Sequence, residues 1–184
     1  RHKWYFTHGT ELYETDLKTR KRLGTLTGQH KPKYHAYSGD ILIASGGKLQ
    51  AISGTGELST VDGSPSCEII NSHAGRVLVA SIYSHRLTWS AIGDYRSWEN
   101  NKNDSSSGQY LDVGYKDKGA IVAVDFLTRA IIVYKEYGKV YQVVGTPDEG
   151  NLSVYPLSST GFCSGSAINK IGRASCRERV CLYV

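Results

Sequence analysis

No methionine occurs in this 184-residue sequence, and cysteine and proline number four each. With Arg1 already inside a strand-like run, the missing methionine gives the expectation of an N-terminally truncated fragment. No apolar run approaches the roughly 18 residues of a membrane-spanning helix. No charged segment followed by an apolar stretch marks a secretion signal. Cys67 and Cys163 stand far apart, with no C-x-x-C and no Cys/His group at metal-ligand spacing. They read as lone, buried or half-buried small residues in a reducing setting. The G-x-S-x-G elbow, H-E-x-x-H, the phosphate loop and the dinucleotide fingerprint are all missing. Ser45 to Leu49, SGGKL, lacks the upstream glycine and the following Ser/Thr of a phosphate loop, so it reads as a hairpin turn. His2, His8, His30, His35, His73 and His85 show no His-x-His spacing and read as solvated turn residues. The expectation is therefore no catalytic, metal or cofactor residue.

The C-terminal stretch Ile171–Val180, IGRASCRERV, is similar to the in-frame translation of a common short-read sequencing adapter. That resemblance makes 171–184 a non-native tail and removes Cys176 and Cys181 from the argument; the alternative is a native basic tail. The charge reading changes with it. The formal net charge is +5, of which residues 171–184 hold +2 and residues 1–33 hold +5, leaving 34–170 at −2. A pI near 9.0 thus comes from the two ends. It is no body-wide footprint for nucleic acid, and a specific nucleic-acid ligand is not expected. The one basic cluster, Lys18 to Arg22, reads as an exposed turn.

Helical periodicity is also missing, and what replaces it is a repeat. Residues 3–16, 40–53, 76–90 and 130–144 each contain an apolar strand, a tight polar or glycine-bearing turn and a second strand. From the leading apolar residue (Trp4, Ile41, Val77, Ile131) to an anchor in the second strand (Leu12, Leu49, Leu87, Val140) is 8, 8, 10 and 9 residues. The turns, such as Ser45-Gly46-Gly47 and Glu136-Tyr137-Gly138, suit β-hairpins. Further short strands are expected before the last three hairpins, at 34–38, 67–72 and 120–125. Others are expected after hairpins, at 22–27, 57–61 and 152–157. A polar stretch at 100–110 reads as a surface insertion.

Four-stranded units of about 40 residues are the mark of β-propeller blades. The expected architecture is all-β, a partial β-propeller domain over 1–170. Its blades fall near 1–30, 34–62, 67–113 and 120–158, with the start of a fifth at 162–170. A two-sheet β-sandwich is the alternative.

Within the third unit, Gly75-Arg76, Trp89-Ser90, Gly93-Asp94 and Trp98 carry a family resemblance. They resemble propeller-type structural proteins of tailed bacteriophages, namely tail-accessory or stabilisation proteins and tail tubular proteins at the head–tail junction. The resemblance covers roughly 30 to 170. It implies a non-enzymatic virion component assembled in the host cytoplasm, partnered by other tail or connector subunits and oligomeric at full length.

Two other functions fit the pattern. One is a carbohydrate-binding or glycoside-cleaving propeller, for which Asp40, Asp94 and Asp125 at related blade corners are the candidate carboxylates. Asp at such corners otherwise caps turns. The other is a generic interaction scaffold. Asn103 and Asn151 open glycosylation sequons, but no secretory route is visible. Thirteen tyrosines and three tryptophans suit seams between blades. Tyr5, Tyr13, Trp89, Tyr134 and Tyr141 fall in strands, and Trp98 is a further seam candidate.

Overall fold

The computed structural model describes residues 3–127, 130–158, 168–171, 174–177 and 180–183. The chain is a partial β-propeller made of antiparallel sheets in simple meander order. The first sheet contains β1 (Trp4–His8), β2 (Glu11–Thr15) and β3 (Arg20–Thr25). The second contains β4 (Lys33–Tyr37), β5 (Asp40–Ala44), β6 (Gln50–Ile52) and β7 (Leu58–Thr60). The third contains β8 (Ile69–His73), β9 (Arg76–Ala80), β10 (Arg86–Trp89) and β11 (Gln109–Asp112). The fourth contains β12 (Ile121–Leu127), β13 (Ala130–Lys135), β14 (Val140–Val144) and β15 (Ser153–Ser158). A fifth sheet has β16 (Ile168–Ile171), β17 (Ala174–Arg177) and β18 (Val180–Tyr183). Two of its strands lie within the expected non-native tail. Residues 162–167, where the fifth blade was expected to begin, lie outside the described residues.

The cores decide between propeller and sandwich. Side chains alternate faces along a strand. On β9, Val77 and Val79 join Leu42, Ala44, Leu49 and Trp98 between the second and third sheets. Leu78 and Ala80 instead join Trp89, Ile131 and Val133 between the third and fourth. β5 divides the same way, with Ile43 packing on Leu12 of the first sheet and on Leu26 just after it. A sandwich has one core between two sheets. Here each middle sheet contributes to two, so the sheets stack face to face as blades. The hairpin anchors Leu12, Leu49 and Leu87 are 0% exposed, because each sits inside one of these seams.

Two expectations need correction. Gln109 and Tyr110, placed in the surface insertion, belong to β11, which pairs Tyr110 with Thr88 and Gln109 with Trp89. Tyr13 does not enter a seam between described sheets. β2 turns Leu12 inward, so Tyr13 falls on the opposite face and stacks on Phe6 at 5.4 Å. Tyr5 packs against the Leu12 cluster, and Trp89, Tyr134 and Tyr141 are buried.

The first strands of the blades run side by side, with β8 against both β4 and β12. Here the histidine reading also changes, since His35 and His73 lie in strands. His35 Nε2 is 2.9 Å from Ser72 Oγ, and the His73 ring stacks on Phe126 at 5.1 Å. Burial holds both imidazoles below the ordinary 6.5. The unfolded chain therefore takes up these protons first as pH falls. The stability that neutral imidazoles contribute is whole above about 6.5 and is lost progressively below it. Glu11, Asp16, Asp104 and Asp112 are held low by hydrogen bonds, so their loss begins only below the ordinary 4.5 for Glu and 3.8 for Asp. The urea midpoint should accordingly drop between pH 7 and 5, and a His35→Gln/His73→Gln variant should be flatter over that interval.

Antiparallel meanders separate the loops into two ends. The blade-to-blade connections (26–32, 61–68, 113–120) and the turns between second and third strands (45–49, 81–85, 136–139) emerge at one end. The remaining turns, including 90–108 and 145–152, emerge at the other.

Candidate interaction face

The residues that carry the sequence resemblance assemble at the second of these ends, as a corner built around Arg76. Its side chain is 0% exposed. Nη1 donates to the carbonyls of Ser90 (2.7 Å) and Ser107, and Nη2 donates to that of Ser105. Nε and Nη2 both reach Asp148 Oδ1, at 2.8 and 2.6 Å. One guanidinium thus ties β9 to the insertion and to the fourth blade, using the planar fork that suits such a junction.

The other motif residues complete the corner. Ser90 Oγ accepts the Val77 N–H at 3.0 Å, and the Gly93 N–H donates to Gly75 O at 2.8 Å. Asp94 Oδ1 caps the Arg96 N–H at 2.8 Å. The Trp98 indole donates to Tyr95 O at 2.7 Å. Asp40 accepts the Tyr95 hydroxyl at 2.6 Å and the Gly54 N–H at 3.2 Å, with Arg96 Nη2 at 3.6 Å. Burial first, and Asp40 second, push the Tyr95 phenol up to about 12. Asp125 is not at a corner at all. It sits within β12 opposite Ile132, and its carboxylate accepts the Phe126 N–H at 2.8 Å. The three candidate carboxylates therefore do not form one constellation at a blade corner.

The connection end was not singled out from sequence. Glu68 is 6% exposed there. Its Oε2 accepts the Ile82 N–H at 3.0 Å and its Oε1 lies 3.2 Å from His30 Nδ1. His30 Nε2 in turn lies 3.3 Å from the Tyr83 hydroxyl. On the next blade, Lys135 is 0% exposed and donates to the carbonyls of Gly114 (2.6 Å) and Val113 (3.2 Å). Burial holds its ammonium below the ordinary lysine value, against the opposing pull of Asp117. His85 Nδ1 stands 3.4 Å from that ammonium and 3.2 Å from Gly119 O. These buried charges fix two blade connections by bonding backbone groups.

Between the third and fourth blades this scaffold leaves a cleft of about 530 Å³, lined by Ile82, Tyr83, His85, Gly119, Ala120 and Glu136 among others. Three tyrosines stand on the loops of this end: Tyr83, Tyr115 and Tyr137, exposed to 74%, 64% and 75%. Tyr137 has φ 58° and ψ 19°, a left-handed conformation that is costly for a residue with a Cβ.

Gly119 (φ +93°) is what lets the turn close over the cleft. A Cβ there would lie 2.7 Å from Glu136 Cβ and 2.9 Å from Tyr137 Cδ2. Gly119→Ala should cost roughly 1–3 kcal/mol through strain and clash. The expected readout is a lower urea midpoint at unchanged m-value.

Burial pushes the Cys67 thiol up to about 12, so it is a packing residue without nucleophilic character; Cys163 lies outside the described residues. Among the described residues no group of three or more His, Cys, Asp or Glu could hold a metal ion. No helix there is long and apolar enough to cross a membrane.

No protein-family model matches the chain, and no curated protein matches it. Solved structures do. The crystal structure of the N-terminal domain of Nup159, a β-propeller, aligns with a TM-score of 0.52 at 9% identity. It covers 88% of this chain and 42% of that one. A chain of the S. cerevisiae assembly in which a Dbp5 variant is bound to Nup159, a Gle1 variant, IP6 and ADP aligns with a TM-score of 0.55 at 11% identity. It covers 84% of this chain and 45% of that one. The chain thus spans less than half the length of these neighbours, and the likeness is one of fold.

Proposed function

We propose that this propeller is a non-enzymatic structural component that works through protein–protein contacts at its connection end. The proposed setting is the virion of a tailed phage, in the tail or at the head–tail junction, with the full-length protein oligomeric and partnered by other virion subunits. The observation that carries the contact role is the exposed tyrosine set around the cleft. Tyr137 in particular holds a strained backbone conformation for a ring that is three-quarters exposed. Strain of about 1–3 kcal/mol at an exposed side chain is retained most readily where the side chain has a use outside the fold. Tyrosine is also the residue that contact surfaces favour, because it buries much area at little entropic cost.

The virion setting rests on the Gly75–Trp98 motif. A neighbouring fold, that of Nup159, is named in an assembly with other proteins, which agrees with a contact role without identifying a partner. Cross-linking mass spectrometry on purified particles tests the proposal. Cross-links from Lys116, Lys118 or Lys139 to a second virion protein support it. Absence of the chain from particles, with cross-links to cellular proteins instead, favours a generic interaction scaffold.

A further inference from the structure

We infer that the segment received at the connection end is an acidic peptide of a partner protein, with one large apolar side chain seated in the cleft. The inference rests on the contact role proposed above and adds the partner's chemistry. Its first support is how charge is used at this end. Apart from Asp62, whose side chain is 94% exposed and 3.9 Å from Lys48 Nζ, the carboxylates are largely consumed internally: Glu68 by His30 and the Ile82 N–H, Asp117 by Lys139, and Glu136 by the Ala120 N–H at 3.1 Å. The ammoniums are not. Lys31, Lys116 and Lys118 are exposed, and none has an ion pair among the described residues. Lys116 only overhangs the Tyr115 ring, at 5.7 Å.

The opposite end is mixed, with Asp16, Asp40, Glu57, Asp94, Asp104 and Asp148 set against Lys18, Arg20, Arg96 and Lys102. The unpaired lysines therefore steer an acidic partner to the connection end. The cleft supplies the second support. Ile82, Ala120 and Val122 make part of its wall apolar, and Tyr83 lines it while Tyr137 overhangs Gly119 beside it. Such a site takes an aliphatic or aromatic side chain, with the lysines placed for flanking carboxylates. A nucleic acid would instead call for a continuous basic track with stacking platforms. Glu136 at the cleft interrupts any such track.

Selection from a randomised displayed-peptide library, run on the whole chain at low salt, tests this. The result expected is winners with an excess of Asp and Glu around one large apolar residue. Their affinity should fall as salt rises, and by roughly tenfold on Lys116→Glu/Lys118→Glu, two rim charges lost and reversed. These residues are exposed, so an unchanged thermal melt will show that the variant folds. Winners that are neutral or basic at this face overturn the inference, as does tighter binding of a single-stranded DNA oligonucleotide than of any acidic peptide. The contact role fails separately. If every winner is indifferent to Tyr83→Ser/Tyr137→Gly, the tyrosine end is not a contact surface. If winners depend on those tyrosines but not on the lysines, the contact role stands and the acidic partner falls.

Discussion

Arg76→Met is expected to destabilise the chain by about 3–5 kcal/mol, the range for breaking a buried, hydrogen-bonded charge pair from one side. The methionine keeps most of the side-chain volume, so the loss is polar in origin. Three carbonyls, those of Ser90, Ser105 and Ser107, lose their donor together, and Asp148 loses its only ion pair among the described residues. Each buried acceptor left without a partner costs about 1–3 kcal/mol. The insertion relaxes enough to rehydrate some of them, which keeps the total below a simple addition. Asp148→Asn provides the contrast. Its side chain is 32% exposed and an amide oxygen still accepts from the guanidinium, so the cost should be near 1–2 kcal/mol. Arg76→Lys should behave like the methionine variant, because a single ammonium cannot reach acceptors in three segments. Urea unfolding of the three variants checks the order. A methionine variant no weaker than Asp148→Asn would mean that the guanidinium does not hold the corner together.

That corner also shows what sequence reasoning can and cannot reach. The hairpins were legible because two local signals coincide there: alternation at period two and glycine-bearing turns. Leu12, Leu49 and Leu87 could be named as anchors from spacing alone. β11 was missed because an outermost strand packs on one neighbour only. Its half-buried pattern, with Tyr110 50% exposed, blends into the polar insertion before it. Asp125 was misplaced for the opposite reason. The innermost strands line the narrow side of the ring, where a polar residue inside a strand remains half-buried rather than marking a turn.

The connection end left almost no trace in the sequence. Glu68 bonds the backbone of Ile82, and Lys135 bonds the backbone of Val113 and Gly114. Partners of that kind have no sequence pattern. A buried lysine at the end of an apolar strand, IIVYK, reads from sequence as the strand reaching solvent. The tyrosine at Glu136-Tyr137-Gly138 was the one available signal. A tight turn with an aromatic before its glycine is unusual where glycine or asparagine is cheaper.

The two buried tryptophans should separate under one substitution. Trp89 is 0% exposed at the centre of the seam between the third and fourth blades, packed with Leu78, Ile131 and Val133. Trp89→Ala empties that seam and should cost about 3–5 kcal/mol through lost transfer energy and residual cavity. Trp89→Phe should cost less than about 1.5 kcal/mol. The Trp89 indole N–H has no hydrogen-bond partner among the described residues, so phenyl removes a buried orphan donor along with some volume. Trp98 is the internal control. Its N–H donates to Tyr95 O at 2.7 Å in the neighbouring seam, and Trp98→Phe strands that carbonyl next to the Asp40–Tyr95 pair. The phenylalanine substitution should therefore cost more at position 98 than at 89, although Trp98 is 8% exposed and Trp89 is fully covered. Area alone predicts the reverse order, because Trp89 buries the larger surface. Urea midpoints of the three variants decide it. If Trp89→Phe proves the costlier, the seam is held by volume and the orphan donor has no energetic weight.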